Sequence, residues 1–297
     1  MSELHKLHGD DRLTSKRRAL VLAGGGYAAS AWEIGLVTGM ADAGLDVRNA
    51  DIFVGTSAGA RVALSLASQM TLDEIFQRRT RPSVQPAEPP PSVDWGQIRT
   101  ELARAKQPGG SPAAILRRIG ALALAVAQGK GVDRRPIVAA QLPTQTWPKP
   151  RVLIAAVNAE TGERRAFDHN SGIDLVDAVI ATTAFFGWPP AIFRGHHYID
   201  GGFYSSDNAD LAAGFDRVLI LALRAGGRSM SLISLDSGVA ILRAGGTQVE
   251  VIHPDEDALA TLAQAGGPMN PAVSKPAATA GRLQGQRVGE GISSFWR

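Results

Sequence analysis

Residues 51–67, DIFVGTSAGARVALSLA, contain the element that decides the fold. An apolar run of strand length passes through the pentapeptide Gly55-Thr56-Ser57-Ala58-Gly59 into a segment with helical spacing at 58–70. A serine on a tight turn between a strand and a helix exposes its hydroxyl at the helix N-terminus. This is the setting of a nucleophile elbow, in which flanking glycines let strand and helix pass closely. The alternative is an ordinary strand-to-helix turn with a capping serine or threonine.

A glycine-rich loop lies upstream of this turn. Residues 22–35, LAGGGYAASAWEIG, carry Gly24, Gly25 and Gly26 directly after an apolar run and before a helical pattern. Backbone amides in such a loop are open to a negative group. An oxyanion, formed when a serine attacks an ester carbonyl, is stabilised by two such donors. The loop is therefore a candidate oxyanion hole.

A nucleotide phosphate is the competing ligand for the same loop, because a glycine loop at a helix N-terminus also binds dinucleotides. The third glycine of the Gly-x-Gly-x-x-Gly fingerprint is Ala29 here, which disfavours that interpretation. Asp42 and Asp46 stand at the distance expected for an acidic ribose ligand, so the nucleotide-binding alternative stays open. No Gly-Lys-Ser/Thr follows the loop, and a P-loop is excluded.

Apolar runs of strand length recur along the chain with little polar alternation, as expected of strands buried on both faces. Segments with helical spacing alternate with them. This alternation predicts an α/β fold with a largely parallel sheet. The strands are predicted at 19–23, 51–54, 151–157, 217–223 and 249–252, and the helices at 30–43, 58–70, 174–185 and 255–265.

Composition narrows the function classes. The chain has 297 residues, is 44% hydrophobic and carries a formal charge of +3. Its apolar runs are too short to cross a bilayer, which predicts a soluble globular chain. The arginines are scattered in pairs rather than along one stripe, which disfavours nucleic-acid binding. Without cysteine there is neither a disulfide nor a thiolate metal site, and no metal or cofactor is predicted. The polar N-terminus lacks the apolar core of a signal peptide and predicts a cytoplasmic location.

Two regions depart from the strand–helix alternation. Residues 81–96, RPSVQPAEPPPSVDWG, are rich in proline and predict an extended surface insertion. The segment after it predicts a helix packed on the sheet, with a mobile lid or a membrane-touching helix as the alternative. Its apolar face consists of Ile115, Leu116, Ile119, Leu122, Ala123 and Val126.

A carboxylate on a tight turn is a candidate base for Ser57. Asp200-Gly201-Gly202 follows a strand-like Tyr-Ile pair, and the alternative interpretation of this motif is a simple β-turn. A serine nucleophile needs such a positioned base. His253 is the candidate for a Ser-Asp-His order, and His196 and His197 lie just before Asp200.

Taken together and in this order, the Gly-Gly-Gly loop, the Gly-Thr-Ser-Ala-Gly turn and the Asp-Gly-Gly turn resemble the patatin-like phospholipase family. The resemblance covers about 18–224 and includes AWEIG, ADIFVGTSAG, VDAVIATTAFFGWPPAIFRGHHYIDGG and NADLA. It implies a modified α/β-hydrolase sheet in a single domain with the proline-rich insertion. It also implies a lipid acyl hydrolase with a Ser57–Asp200 dyad, no catalytic histidine, and an oxyanion hole formed by Gly24, Gly25 and Gly26.

The resemblance divides the chain into a polar extension at 1–17, a patatin-like domain at 18–265 and a C-terminal extension at 266–297. Ala28 and Ala29 depart from the family, which often has a cation and usually a glycine there. Phe185, Phe186 and Trp188, with the helix face at 115–126, are candidates to line an acyl groove, against ordinary core packing. The implied substrate is a lipid or acyl ester reached by peripheral contact with a membrane. A catalytically silent protein that binds lipid or a partner is the alternative.

Overall fold

The computed structural model describes residues 16–81, 88, 93–107, 109–128, 132–223, 230–264 and 267–297. Most of the N-terminal extension and most of the proline-rich insertion lie outside these residues. Within them, strands and helices alternate in part, and five helices follow one another between residues 58 and 141. The elements are β1 (Arg18–Leu22), α1 (Gly26–Asp42), β2 (Ile52–Thr56), α2 (Ala58–Leu66), α3 (Leu72–Thr80), α4 (Trp95–Ala105), α5 (Pro112–Ala127), α6 (Arg135–Gln141), β3 (Arg151–Asn158), β4 (Arg164–Phe167), α7 (Leu175–Thr182), β5 (Ala191–Phe193), β6 (His196–Asp200), β7 (Arg217–Leu221), α8 (Leu235–Ala244), β8 (Gln248–Ile252), α9 (Glu256–Gln264) and α10 (Ser274–Trp296).

The strands form one mixed sheet, which confirms the predicted fold class. Its order is β5-β6-β3-β2-β1-β7-β8, and β4 also pairs with β3. The five strands from β3 to β8 in this order pair in parallel. The antiparallel strands β4, β5 and β6 at one side were not among the predicted strands. They are short, and their charged and aromatic residues give no continuous apolar run.

Both faces of the parallel strands are covered. In β1, Leu20 and Leu22 pack with α1, α2 and α10 on one face. Ala19 and Val21 pack with α8 on the other. Apolar side chains on both faces explain why these strands lack polar alternation.

Helix α5 packs on the antiparallel side of the sheet. Leu116 and Ile119 are fully buried and share a cluster with Val157 of β3 and Ile199 of β6. The prediction of a helix packed on the sheet is therefore confirmed. Burial of this face satisfies the apolar stripe that would otherwise favour a lid or a membrane surface.

The C-terminal helix α10 packs along α1 through glycines rather than through large side chains. Gly281, Gly285 and Gly289 recur at four-residue spacing, which places them on one face of α10. A Cβ at Gly281 would overlap the carbonyl oxygen of Trp32, and one at Gly285 that of Leu36. The two backbones therefore approach more closely than any larger residue would allow.

Polar contacts complete this interface. The indole Nε1 of Trp32 donates to Gln284 Oε1 at 2.8 Å, and Arg282 pairs with Asp42 at 2.7 Å. Trp296, next to the last residue, is fully buried. Helix α10 makes up most of the segment that the sequence analysis set apart at 266–297, and it buries Ala277, Ala278 and Trp296 in the core. The packing of α10 could not be predicted from the sequence, because its small residues give no apolar periodicity.

No helix among the described ranges combines the length and apolar character needed to span a bilayer.

The close approach predicts opposite effects for the same substitution at two glycines of α10. Gly281→Ala places a methyl group against the Trp32 carbonyl and should destabilise the fold by about 1–3 kcal/mol. Gly291 has open space around its Cβ position, so Gly291→Ala should stabilise the helix by about 0.5–1 kcal/mol. Urea unfolding of both variants tests this, and equal effects at the two positions would contradict the packing.

Candidate active site

Ser57 and Asp200 meet beside strand β3. Thr56, the last residue of β2, pairs with Ala155, and Asp200, the last residue of β6, pairs with Ala156. Neighbouring positions on β3 therefore bring the two strand ends together. The Ser57 Oγ donates to Asp200 Oδ2 at 2.7 Å.

The backbone at Ser57 has the conformation of a strained turn. Its φ is 53° and its ψ is −119°, so a residue with a side chain occupies a region that favours glycine. A Cβ at Gly55 would lie 2.8 Å from the Ala60 nitrogen, and one at Gly59 would lie 2.7 Å from the Ala23 carbonyl oxygen. Only glycine at both positions lets the strand and the helix pass this closely.

Thr182, which the sequence analysis did not select, holds this turn in place. Its Oγ1 accepts a hydrogen bond from the Ser57 amide at 2.8 Å and donates to the Ala155 carbonyl at 2.5 Å. Both bonds are shielded, because Thr182 is fully buried. An unsatisfied amide there would cost about 1–3 kcal/mol, so Thr182 offsets part of the strain of the turn.

The Asp200 carboxyl is buried, with 3% of the residue exposed. Its Oδ1 accepts from the Gly202 amide at 2.7 Å, which fixes its orientation toward Ser57. Burial raises the pKa of Asp200 to about 6, against the opposing effects of the bonds from Ser57 and Gly202 and of the Arg134 charge. Gly201 is needed for packing, because a Cβ there would lie 3.0 Å from the Ala155 Cβ.

Arg134 is a second residue that the sequence analysis did not select. Its guanidinium is buried and donates to Glu88 at 2.9 Å and to Thr183 Oγ1 at 2.8 Å. It also bonds the Ile180 carbonyl at the end of α7. In the sequence, Arg134 looks like half of an ordinary surface pair with Arg135. Only the fold reveals that it lies close enough to Asp200 to affect its pKa.

The glycine loop opens α1 beside these residues. Gly24 donates its amide to the Ser206 carbonyl at 2.7 Å. It is therefore not free to donate to an oxyanion, which corrects the prediction for this glycine. Gly25 and Gly26 have φ of 150° and 68°. Within the described part of the chain, their amides and that of Ala58, next to Ser57, have no acceptor.

A cavity of about 1480 Å³ contains Ser57, Asp200 and the glycine loop in its wall. Phe185 and Trp188, two of the residues predicted to line an acyl groove, are in its wall, and so is Trp95. Phe186 does not. Its ring is fully buried. The centroid of this ring lies 5.1 Å from that of Phe185 and 4.9 Å from that of Phe203, so Phe186 is a core residue. The predicted α5 face is likewise absent from the described lining, because it packs on the sheet.

A comparison with protein-family models supports what this geometry suggests. Residues 20–213 match the model of the patatin-like phospholipases. The chain belongs to the patatin-like phospholipase family. Comparison with curated protein sequences gives no match.

Two solved structures resemble this patatin-like chain at low identity. VipD from Legionella pneumophila is 12% identical with a TM-score of 0.44, and the match covers 92% of this chain and 67% of VipD. Full-length ExoU from Pseudomonas aeruginosa, solved in complex with SpcU, is 16% identical with a TM-score of 0.42. That match covers 95% of this chain and 53% of ExoU, so the chain spans about half the length of ExoU.

The two departures from the patatin-like pattern lie inside α1. Ala28 and Ala29 are buried, and the Ala28 amide donates to the Pro268 carbonyl at 3.1 Å. Neither alanine has a positive φ. Alanine at position 29 is therefore compatible with the conformation of the loop.

The histidines lie apart from the Ser57–Asp200 pair in this patatin-like site. His197 Nδ1 bonds Glu160 at 2.6 Å, and His196 is 3.9 Å from the same carboxylate near the surface. His253 is in the cavity wall, but its Nδ1 bonds the Ala222 carbonyl at 2.8 Å. In the described part of the chain, no histidine bonds Ser57.

The raised pKa of Asp200 predicts a pH dependence of stability. Folding raises this pKa from 3.8 to about 6, so in this range the folded state keeps a proton that the unfolded chain has lost. Stability from this group is present at low pH and is lost as pH rises through about 6. A rise of the pKa of this size corresponds to about 3 kcal/mol of folding stability.

Asp200→Asn cannot ionise and should remove this contribution. Urea unfolding of both proteins between pH 4 and 8 tests it. Relative to the variant, the wild type should lose stability as pH rises. Parallel curves would show that the carboxyl titrates alike in both states.

Proposed function

We propose that this protein is a serine acyl hydrolase that cleaves lipid ester bonds, of the phospholipase A or lysophospholipase type. The observation that carries the proposal is the 2.7 Å hydrogen bond from Ser57 to Asp200 in the wall of a large cavity. Membership of the patatin-like family supports the lipid class of the substrate.

In the proposed first step, Asp200 accepts the Ser57 proton while Oγ attacks the ester carbonyl. An ordinary carboxylate is a weak base at neutral pH, and burial makes this one stronger. A pKa of about 6 keeps most of the group ionised at pH 7 while placing its basicity near the working pH. The strained turn keeps Oγ exposed at the N-terminus of α2.

The carbonyl oxygen becomes negative during this attack. The amides of Gly25 and Gly26 are candidate donors for it, and Ala58 supplies a third at the elbow itself. Preorganised amides stabilise an oxyanion without reorganising during the reaction. The acyl group is then carried on Ser57, and the alcohol leaves with the proton held by Asp200.

Hydrolysis of the acyl-enzyme uses Asp200 a second time. A water molecule replaces the departed alcohol, Asp200 takes its proton, and Oγ leaves with that proton when the tetrahedral intermediate collapses. One carboxylate serves both half-reactions. A histidine is not needed to relay the proton, because the carboxylate already contacts Oγ.

The cavity accommodates an extended acyl chain. Its described wall includes Phe185, Trp188, Trp95 and Met230, of which Trp95 and Met230 are partly exposed. Exposed apolar side chains beside a reactive serine suit a substrate drawn from a lipid surface. We propose peripheral membrane contact at this face, at a cytoplasmic location. The predicted domain bounds of 18–265 remain a proposal.

Replacing the serine tests the proposal directly. Ser57→Ala should lose labelling by a fluorophosphonate probe and hydrolysis of a p-nitrophenyl acyl ester, while its melting temperature stays close to the wild-type value. His253→Ala is the matched control in the same cavity and should keep both activities. Labelling that persists in Ser57→Ala would refute the assignment. A wild type that binds lipid but neither reacts nor labels would be a catalytically silent protein.

The glycine loop gives a second test, with a control for backbone strain. Gly25→Ala introduces a side chain at φ 150°, 2.8 Å from the Ala29 methyl, and should misplace the donor amide. We expect kcat to fall by about 100- to 1,000-fold, the effect of losing one oxyanion donor. Gly44 has φ 86° with open space around it, so Gly44→Ala adds strain without touching the site. If Gly44→Ala reduces kcat as much, the effect of Gly25 is one of stability.

A further inference from the structure

Arg79 lies in the cavity wall without an assigned role. Helix α3 begins with a capping box in which Thr71 and Glu74 bond each other's backbone amides, so its start is fixed. Ile75 is buried in the core, and Arg79 follows it one turn later on the same face. Both line the cavity. The helix therefore directs a guanidinium into the space that also contains Ser57.

Three neighbouring arginines, Arg61, Arg78 and Arg134, have partners, whereas Arg79 has none in the described part of the chain. Arg61 pairs with Glu88 at 2.8 Å, and Arg134 pairs with the same carboxylate at 2.9 Å. Arg78 donates to the Gln141 carbonyl at 3.4 Å.

The nearby carboxyls do not neutralise this charge. Glu88 is already shared by two arginines. Glu33 of α1 interacts electrostatically with Arg79, but burial raises the pKa of Glu33 well above its ordinary value and favours the neutral acid. Burial also lowers the pKa of Arg79 to about 10, with Arg61 adding to the effect, so the guanidinium stays charged at neutral pH. An unpaired charge that is shielded from water costs free energy, and a bound anion would offset this cost.

Arg79 lies close to the elements that carry Ser57 and the glycine loop. Its electrostatic neighbours include Tyr27 and Arg61. Tyr27 follows the glycine loop directly, and Arg61 lies one helical turn after Ser57. In a glycerophospholipid the phosphate stands only a few bonds from the ester carbonyls. Arg79 and Ser57 line the same cavity, so the arrangement expected of a bound lipid is an ester at Ser57 with its phosphate toward Arg79.

We propose that Arg79 binds the phosphate of the lipid substrate and makes the site selective for phosphate-bearing esters over neutral ones. This proposal rests on the proposed function and names the substrate class of the same site. A guanidinium presents paired N–H donors that match two phosphate oxygens, and such charge-assisted bonds are strong. Arg79 would then be a specificity residue that acts on the head group and leaves the proton transfer unaffected.

Two esters with the same acyl chains test the selectivity: a short-chain diacyl phosphatidic acid and the corresponding diacylglycerol. Arg79→Gln should lower kcat/KM for the phosphatidic acid by ~10- to 100-fold, the range for a hydrogen bond to a charged group, and leave the diacylglycerol within about twofold. Arg79→Lys should recover part of the loss. Arg104→Gln, which makes the same charge change on the exposed face of α4, should alter neither substrate. Equal losses on both esters, or none, would overturn the proposal.

A binding measurement separates this proposal from the proposed function. Calorimetry with a dialkyl ether phosphatidic acid, which cannot be hydrolysed, is compared for Ser57→Ala with and without Arg79→Gln. The added substitution should weaken binding by ~10-fold or more. Inorganic phosphate is the second arm, and binding of free phosphate as tight as that of the ether lipid would overturn a lipid site. If the wild type hydrolyses neither ester but the ether lipid still binds through Arg79, the hydrolase proposal fails and the anion site stands.

Discussion

The site depends on a carboxyl group that is buried and yet bonded to a serine. Asp200 has water excluded from it, and its charged form is supported by two hydrogen bonds and by the more distant Arg134. Burial alone would keep the carboxyl protonated, and strong ion pairing would make it too weak a base. The balance places its pKa at about 6, close to the ordinary pKa of a histidine, about 6.5. In the proposed reaction, the serine–carboxylate pair therefore needs no histidine.

The packing of α10 against α1 helps to position the glycine loop, because α1 begins with this loop. The close approach of α10 fixes the path of α1 through its buried face. The segment before α10 also bonds back, since the Pro268 carbonyl accepts from the Ala28 amide at 3.1 Å. The C-terminal residues thus contact both ends of α1. The position of the amides at the N-terminus of α1 therefore depends on packing against the C-terminal residues as well as on the loop itself.

The sequence predicted the parts of the structure that local patterns determine. The parallel strands were apolar throughout, and Ser57 and Asp200 stood in motifs whose order indicated that they belong to one site. The close approach of α1 and α10 was not predictable, because it depends on spaced glycines rather than on apolar periodicity. Gly24 and Phe186 were assigned to the site from their neighbours in sequence. In the fold, the Gly24 amide makes an internal hydrogen bond and the Phe186 ring packs in the core.

Charges were the least predictable part of the site, since a residue pair such as Arg134-Arg135 gives no sign of which member faces inward. Arg134 is buried beside Asp200, whereas Arg135 pairs with Asp174 and Asp177 near the surface. The charge of Arg134 lowers the pKa of Asp200, whereas burial raises it. An acyl chain that fills the cavity would expel water and strengthen both effects together, because both desolvation and Coulomb attraction grow as the dielectric falls. Because these two effects oppose each other, the pKa of Asp200 would change less than it would under either effect alone.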